Sequence, residues 1–210
     1  MAEVKPRCRL YLQLPAQPSA KLEAELSQAI ASTDAACVLL CRDDAPIDET
    51  HAGRLIDLVQ ARGAACLIEN DTALAERIGA DGVHIEADAD VYTRARELLG
   101  ASASIGAGCG LDRHEAMLLA EMGADYVAFG PEDKSSIDTI NQRAELIAWW
   151  AEIFVVPCVA WNVDSAEEAG RLASLGADFV APSKTIWRDD SAVKLIAEIE
   201  SAIRHVRRAA

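Results

Sequence analysis

The sequence predicts one α/β domain folded as a (β/α)8 TIM barrel, and three observations support this. Eight short apolar segments recur along the 210 residues, and amphipathic stretches at helical spacing separate them. Most of these segments are continuous apolar runs, which is typical of strands covered on both faces. A short motif also repeats. Because no linker or low-complexity segment divides the chain, residues 1–210 are assigned to one domain, with an open doubly wound sheet as the alternative.

The predicted strands follow one another along the whole chain. They cover residues 9–14, 36–42, 64–70, 81–86, 102–108, 125–131, 154–161 and 178–183. The helix between the third and fourth strands can only be short, about ALAERI. Asp112 and Ser165 each precede an amphipathic stretch, where a helix N-cap is expected.

The repeated motif joins the end of a predicted helix to the next strand. Its clear copies are IGADGVHI (78–85), MGADYVAF (122–129) and LGADFVAP (175–182). The glycine stands where a helix commonly ends in a left-handed residue, and the apolar strand follows. The repeat therefore supports a regular alternation of helix and strand.

The charge and cysteine content exclude several classes of protein. The chain has 20 basic and 34 acidic residues, a net charge of −14 and a pI near 4.6, so its average field repels nucleic acid and anionic membranes. We expect a cytoplasmic protein, because no apolar run approaches a membrane-spanning length and the first residues lack a signal-peptide pattern. None of the six cysteines forms a CxxC pair, which predicts reduced, mostly buried thiols.

Polar residues cluster at the predicted carboxyl ends of the strands, where barrel enzymes carry their active sites. Carboxylates follow strands two, three and four, and lysine and serine residues follow strands six and eight. An oxygen-rich rim of this kind suits Mg²⁺, which binds one or two carboxylates and substrate phosphates. The alternative for each single carboxylate is a solvated loop residue or a helix N-cap.

One string carries a family resemblance. LIENDTALAERIGADGVHIEAD (67–88) resembles the thiamine phosphate synthase superfamily, which also includes thiazole tautomerases. The similarity continues through RELLGASASIGAG and MGADYVAFGP, and it covers about residues 10–187. The Asn-Asp pair followed by GADGVH is its most specific part.

The resemblance implies an enzyme that joins a hydroxymethylpyrimidine pyrophosphate to a thiazole phosphate, with Mg²⁺-assisted release of pyrophosphate. Its partners would be these small phosphorylated heterocycles, and a homo-oligomer is compatible with the sequence. Asp71 and Asp88 are the predicted metal ligands, with Asp90 as the alternative to Asp88, and no catalytic residue is assigned. The predicted substrate-binding residues are Arg42, Asn70, Gly130, Lys134, Asn162, Ser183 and Lys184.

Several departures from the family pattern predict a divergent member with weak or altered activity. An acidic residue, Asp44, replaces a basic one after strand two, and the strand-six loop is the acidic GPEDKSSID (130–138). WNVD (161–164) replaces a Gly-Gly phosphate loop, and the family serine after strand five is Gly108. GAGCG (106–110) lacks the histidine of the tautomerases, so that subfamily is not supported. The alternative function is a non-catalytic barrel that binds a phosphorylated or heterocyclic ligand.

Two aromatic side chains at the predicted site have competing interpretations. His84 lies inside the fourth predicted strand and is expected to be structural. Trp161 ends the seventh predicted strand, where it could belong to the core or stack against a bound ring.

Overall fold

Eight parallel strands form one closed barrel in which each strand pairs with its neighbours in sequence and β8 pairs with β1. The computed structural model describes residues 7–42, 46–130 and 137–206. The closed order confirms the (β/α)8 prediction over the open sheet. The strands are β1 (Arg9–Pro15), β2 (Ala35–Cys41), β3 (Ala65–Glu69), β4 (Gly82–Glu86), β5 (Ser104–Gly108), β6 (Tyr126–Phe129), β7 (Cys158–Val163) and β8 (Phe179–Pro182).

Helices connect the strands and cover the outside of the barrel. They are α1 (Ala20–Ser32), α2 (Glu49–Gln60), α3 (Thr72–Ile78), α4 (Ala89–Leu99), α5 (Arg113–Met122), α6 (Ile137–Ile153), α7 (Ala166–Ser174) and α8 (Ala192–Arg204), and a 3₁₀ turn spans Lys184–Arg188. The third helix is short, as predicted. Of the described residues, none belongs to a helix long and apolar enough to cross a membrane.

The helix boundaries follow the predicted signals. The Asp112 carboxylate accepts hydrogen bonds from the first backbone N–H groups of α5, and the Ser165 hydroxyl accepts one from the first turn of α7. The motif glycines Gly79, Gly123 and Gly176 have φ of 71°, 98° and 111°. The left-handed helix ends expected from the repeat are therefore confirmed.

Two apolar layers fill the molecule, one inside the barrel and one between the strands and the helices. The inner layer is made mainly of Tyr11, Cys37, Leu39, Cys41, Leu67, Tyr126, Ala128, Val159 and Ala181. A Cβ at Gly106 would lie 1.9 Å from the Tyr126 ring, so only glycine leaves room for this ring inside the barrel. All six cysteine thiols are buried, as predicted.

The aspartates of the repeated motif connect pairs of strands. Asp81, Asp125 and Asp178 each precede an even-numbered strand, and each accepts a hydrogen bond from a backbone N–H of the preceding odd-numbered strand, at 2.7–2.9 Å. Asp34, directly before β2, has the same place and binds the Arg9 side chain of β1 at 3.1 Å. These four residues, called the pin aspartates below, therefore join β1 to β2, β3 to β4, β5 to β6 and β7 to β8.

The seventh strand differs from its prediction of residues 154–161, because it begins at Cys158 and ends at Val163. The preceding segment wraps the end of α6 instead. Phe154 stacks on Trp150 with ring centroids 4.0 Å apart, and the Trp150 indole N–H donates to the Val156 carbonyl at 2.7 Å. Phe154 and Val156 thus contact the end of α6, whereas Val155 is exposed. Counting hydrophobic residues cannot distinguish such a segment from a strand.

Candidate functional site

The predicted site residues that the structure describes lie at one end of the barrel, the barrel mouth, where the carboxyl ends of the strands meet. They come from six of the eight strands. Arg42 follows β2, Asn70 and Asp71 follow β3, Asp88 follows β4, Gly130 follows β6, Asn162 lies near the end of β7, and Ser183 and Lys184 follow β8. Lys134 lies outside the described residues, as do the acidic positions Asp44, Glu132 and Asp133.

Asn70 has an unusual backbone conformation and an uncommitted side-chain donor. Its φ is 51°, in the left-handed region that asparagine tolerates better than most residues. Its backbone N–H donates to the His84 carbonyl at 2.9 Å, and its Oδ1 accepts from the Glu86 N–H at 3.0 Å. Within the described residues its Nδ2 makes no hydrogen bond, so these amide hydrogens are available to an anion.

Asn162 repeats this arrangement in a bulge near the end of β7. The register between β7 and β8 shifts between Ala160 and Val163, so Trp161 and Asn162 form the β7 bulge. Asn162 has φ of 58°, and its Oδ1 accepts from Gln13 Nε2 at 3.3 Å. Asn162 thus takes a backbone conformation that glycine usually supplies, although the sequence WNVD has no glycine.

The strand order places the two asparagines on opposite sides of the barrel mouth. β3 and β7 are four positions apart in a ring of eight strands. Asn70 and Asn162 are also the only non-glycine residues with positive φ in the part of the chain that the structure describes. Backbone strain of this kind is concentrated at functional sites, so this pair marks the mouth as the candidate site.

Below the mouth, Tyr11, His84, Tyr126 and Trp161 form an aromatic cluster. Trp161 stacks on His84 with centroids 4.5 Å apart and planes at 10°. The Tyr126 hydroxyl lies 2.9 Å from His84 Nδ1 and 2.7 Å from the Tyr11 hydroxyl. Trp161 is the half-buried member, whereas the other three are buried. The cluster closes the barrel interior and leaves part of the Trp161 side chain exposed.

His84 is neutral at physiological pH. Desolvation by burial lowers the pKa of its imidazole to about 3. Gly108 gives this ring its room, because a Cβ there would lie 3.1 Å from His84 Nε2. A side chain at this position would require the His84 ring to shift by a few tenths of an ångström.

The two predicted metal ligands both cap helices. The Asp71 carboxylate accepts the Leu74 N–H at 2.9 Å, and the Asp88 carboxylate accepts the Val91 N–H at 2.8 Å. Both bonds use Oδ1, and Oδ2 of each residue has no hydrogen-bond partner among the described residues. No cluster of three or more potential ligand side chains (His, Cys, Asp or Glu) exists within residues 7–42, 46–130 and 137–206. The helix-cap alternative is thus confirmed for both residues, and metal binding remains a prediction.

The remaining predicted residues also have contacts within the protein. The Lys184 ammonium donates to the Arg42 carbonyl at 3.3 Å, which links the ends of β8 and β2. The Ser183 hydroxyl accepts the Thr185 N–H at 3.4 Å and caps the 3₁₀ turn. At Gly130 a Cβ would lie 2.6 Å from the Trp161 carbonyl oxygen, so this glycine is needed for the close approach of β6 to the β7 bulge.

The sequence analysis missed several residues of the site because they lie in the middle of strands or helices rather than at strand ends. Tyr11 and Tyr126 lie within strands, and Arg143 lies in α6, where it is fully buried beneath the β7 bulge. Gln13 lies within β1, and its Nε2 also donates to the Pro182 carbonyl at 3.1 Å. An arginine inside an otherwise apolar helical face was the one available signal for Arg143.

Comparisons with known proteins agree on one family. The family model described as thiamine monophosphate synthase matches residues 10–186. The thiamine-phosphate synthase of Rhodospirillum centenum is 41% identical over 192 residues, covering 86% of this chain and 89% of that protein. The thiamine-phosphate synthase of Erythrobacter litoralis is 36% identical over 208 residues, covering 94% and 98%.

Solved structures show the same fold at lower identity. A thiamine phosphate pyrophosphorylase from Pyrococcus furiosus superposes with a TM-score of 0.75 at 19% identity, covering 93% of this chain and 95% of that one. A 3-hexulose-6-phosphate synthase reaches a TM-score of 0.71 at 14% identity, covering 92% and 100%. These structural similarities bear on the fold alone.

Proposed function

Since the chain belongs to the thiamine monophosphate synthase family, we propose that it is a transferase. It couples a hydroxymethylpyrimidine pyrophosphate to a thiazole phosphate and releases pyrophosphate. The observation that supports this most is the pair of left-handed asparagines, Asn70 and Asn162, on opposite sides of the barrel mouth. A reaction between two phosphorylated molecules needs two anion-binding positions, and each asparagine offers a side-chain amide.

The proposed roles of the residues follow from their contacts. Asn70 donates to the pyrophosphate, and Asn162 donates to the phosphate of the second substrate. Donors fixed in place before the reaction stabilise the charge that gathers on a leaving pyrophosphate, and they also orient the two partners. Lys184, Ser183 and Arg42 add polar groups at the mouth between these two positions.

The aromatic cluster suits the cationic pyrimidine that forms when pyrophosphate leaves. A neutral His84 adds no repulsive charge beside a cation. The partly exposed Trp161 offers an aromatic side chain, and indole attracts cations most strongly among the aromatic groups. The thiazole nitrogen then captures the cation, which forms the new bond.

The carboxylates fit Mg²⁺. Asp71 and Asp88, or Asp90 in place of Asp88, would hold the ion, since Mg²⁺ needs only one or two carboxylates together with phosphate oxygens and water. Helix capping uses Oδ1 of Asp71 and of Asp88 and leaves Oδ2 for coordination. When bound, Mg²⁺ neutralises part of the pyrophosphate charge. Asp71 and Asp88 hold the first turns of α3 and α4 whether or not the ion is present.

We also propose that turnover is weak or altered. The acidic residues Asp44, Glu132 and Asp133 stand where the family pattern has donors, and loss of one such donor typically lowers the rate by about 10²–10³. The left-handed Asn162 compensates for part of the missing Gly-Gly loop. The second candidate function is a barrel that binds the same ligands without catalysis, and these acidic departures in the sequence favour it.

The central test is a coupling assay with both phosphorylated substrates and Mg²⁺, read as thiamine phosphate formed. We expect slow product formation by the wild-type protein. Asn70→Ala should lower the rate by about 10²–10³, because it removes a donor to the leaving group. Asn141→Ala is the matched control, since this exposed asparagine of α6 lies outside the site. Binding of both substrates without any product would favour the non-catalytic alternative.

The metal assignment is tested by Asp71→Asn. Asparagine caps a helix as well as aspartate does, so the fold should survive while the charge is lost. Calorimetric binding of pyrophosphate should then lose its dependence on Mg²⁺. Asp112→Asn, which changes another helix-capping aspartate, should leave that dependence intact. Unchanged Mg²⁺-dependent binding in Asp71→Asn would contradict the assignment.

A further inference from the structure

Arg143 is a fully buried cation that none of the roles above uses. It lies in α6 with 0% of its side chain exposed. Its Nη1 donates to the Trp161 carbonyl at 2.7 Å, and its Nη2 pairs with the Glu168 carboxylate. Burying a guanidinium is costly unless it is paired and hydrogen-bonded, and these two contacts offset that cost. An apolar side chain at this position could not donate a hydrogen bond to the Trp161 carbonyl.

Glu168 extends the contact to the other side of the β7 bulge. Its Oε2 accepts the Asp164 backbone N–H at 3.0 Å, and its own N–H donates to the Ser165 hydroxyl at 3.2 Å. The Arg143–Glu168 pair therefore binds the backbone at residue 161 and again at residue 164. Asn162, with its left-handed backbone, lies between these two attachment points.

The bulge makes two neighbouring side chains face the barrel interior. In a regular strand Trp161 and Asn162 would point to opposite faces, but here Trp161 contacts His84 and Asn162 contacts Gln13. A carbonyl in a bulge is displaced from the regular ladder, and Arg143 supplies the Trp161 carbonyl with a donor. The geometry of the bulge thus depends on a side chain from a neighbouring helix.

We propose that Arg143 is a positioning residue, which together with Glu168 fixes the β7 bulge so that the Asn162 amide is held ready for a phosphate group. This inference rests on the proposed function, since it deepens the role assigned to Asn162. Arg143 itself does not touch the ligand and acts through the Trp161 carbonyl.

Three variants separate positioning from simple stability. Arg143→Lys keeps the charge but has a single ammonium in place of the two-nitrogen fork. Arg143→Met combined with Glu168→Gln removes the ion pair without leaving an unpaired buried charge, and the glutamine can still accept the Asp164 N–H. Arg171→Met is the control, because this exposed arginine also links α7 to α6, through Asn141 at 3.4 Å, without touching the bulge.

The measurement is calorimetric binding of inorganic phosphate and of Mg²⁺-pyrophosphate to the full chain. We expect Asn162→Ala to bind one of these anions about tenfold more weakly, because it removes the side-chain amide donor. Arg143→Lys and the double variant should weaken binding of the same anion about as much, because they displace that donor. Adding Asn162→Ala to Arg143→Lys should weaken binding no further. In the coupling assay, KM for the affected substrate should rise about as much, with kcat unchanged within about twofold.

Other results would overturn the inference. One is an unchanged anion affinity in a folded Arg143 variant, and another is a further loss of affinity when Asn162→Ala is added to Arg143→Lys. The inference would also fail if Arg171→Met lost as much anion affinity as the Arg143 variants, or if the wild type bound neither anion. If the wild type binds the anions and the variants behave as expected but no thiamine phosphate forms, only the proposed reaction fails. The two failures are therefore distinguishable.

Discussion

His84 illustrates how burial sets the properties of a single residue at the site. Its imidazole is 5% exposed, stacks on Trp161 and meets the Tyr126 hydroxyl. Desolvation disfavours the charged form and lowers its pKa to about 3, against an ordinary value of 6.5. The expectation that this residue is structural agrees with its contacts, which also make it part of the surface below the mouth.

The lowered pKa of His84 predicts a loss of stability in acid. Below about pH 6.5 the unfolded chain binds a proton at His84, which the folded protein excludes until about pH 3. The free energy of unfolding should therefore fall with decreasing pH in this window, with His84 contributing about 1.4 kcal/mol per pH unit. Urea unfolding of wild type and His84→Gln between pH 6.5 and 4.5 checks this. Parallel pH dependences of the two proteins would contradict it.

Cys109 lies at the end of the barrel that carries the site, but its surroundings make it unreactive. The thiol is 4% exposed, and burial first, then the nearby carboxylates of Glu115 and Asp112, raise its pKa to about 12. The thiolate is the reactive form, so at neutral pH this cysteine is an inert apolar group.

We therefore expect none of the six thiols to react quickly with a thiol reagent in the native protein at pH 7.5. In denaturant all six should react, because burial alone protects them. A colorimetric thiol count under both conditions makes this comparison. One fast-reacting thiol in the native protein, mapped to Cys109 by mass spectrometry, would show that the barrel end opens.

At the scale of elements, the pin aspartates connect strands that local propensity alone would leave independent. Asp81 accepts the Cys66 N–H at 2.7 Å, and the Asp81 backbone N–H donates to the Cys66 carbonyl at 2.9 Å. The residue therefore makes a reciprocal pair of bonds between the start of β3 and the start of β4.

Asp81→Ala should destabilise the fold by about 1.5–3 kcal/mol, because it removes a charge-assisted hydrogen bond to a backbone N–H. The free energy of unfolding in urea measures this. Asp57→Ala, at an exposed position of α2, is the matched control and should change stability by less than about 0.5 kcal/mol. A loss at Asp81 no larger than at Asp57 would mean that the strands are held without the pin.

The β7 bulge shows why part of the site could not be predicted from sequence. A strand is recognised by its alternation, and the bulge breaks the alternation at Trp161 and Asn162. Its support comes from Arg143 and Glu168 in two helices, and Gly130 at the end of β6 leaves it room. Such contacts join residues distant in sequence, so the hydrophobic pattern can show that Arg143 is unusual on an apolar face of α6 but cannot show what it binds.

For the whole molecule, the sequence was sufficient to predict the barrel and the end at which polar residues gather. Continuous apolar runs and helix-end glycines are local signals, and Gly79, Gly123 and Gly176 adopt the expected conformation. The start of β7 was wrong by four residues because the aromatic residues before it pack on α6. The choice between helix cap and metal ligand at Asp71 stayed open because one carboxylate can serve both purposes.

The pin aspartates have a consequence for how the chain can be cut. They divide the barrel into four two-strand modules: β1 with β2, β3 with β4, β5 with β6 and β7 with β8. The break in the chain between β8 and β1 falls between two modules. A circular permutant opened between Ala101 and Ser102 also falls between modules, whereas one opened between Gly79 and Ala80 divides a module beside its pin. With residues 1 and 210 joined by a flexible linker, the permutant opened between Ala101 and Ser102 should unfold at the higher urea concentration. The reverse order would mean that the barrel behaves as eight equivalent repeats.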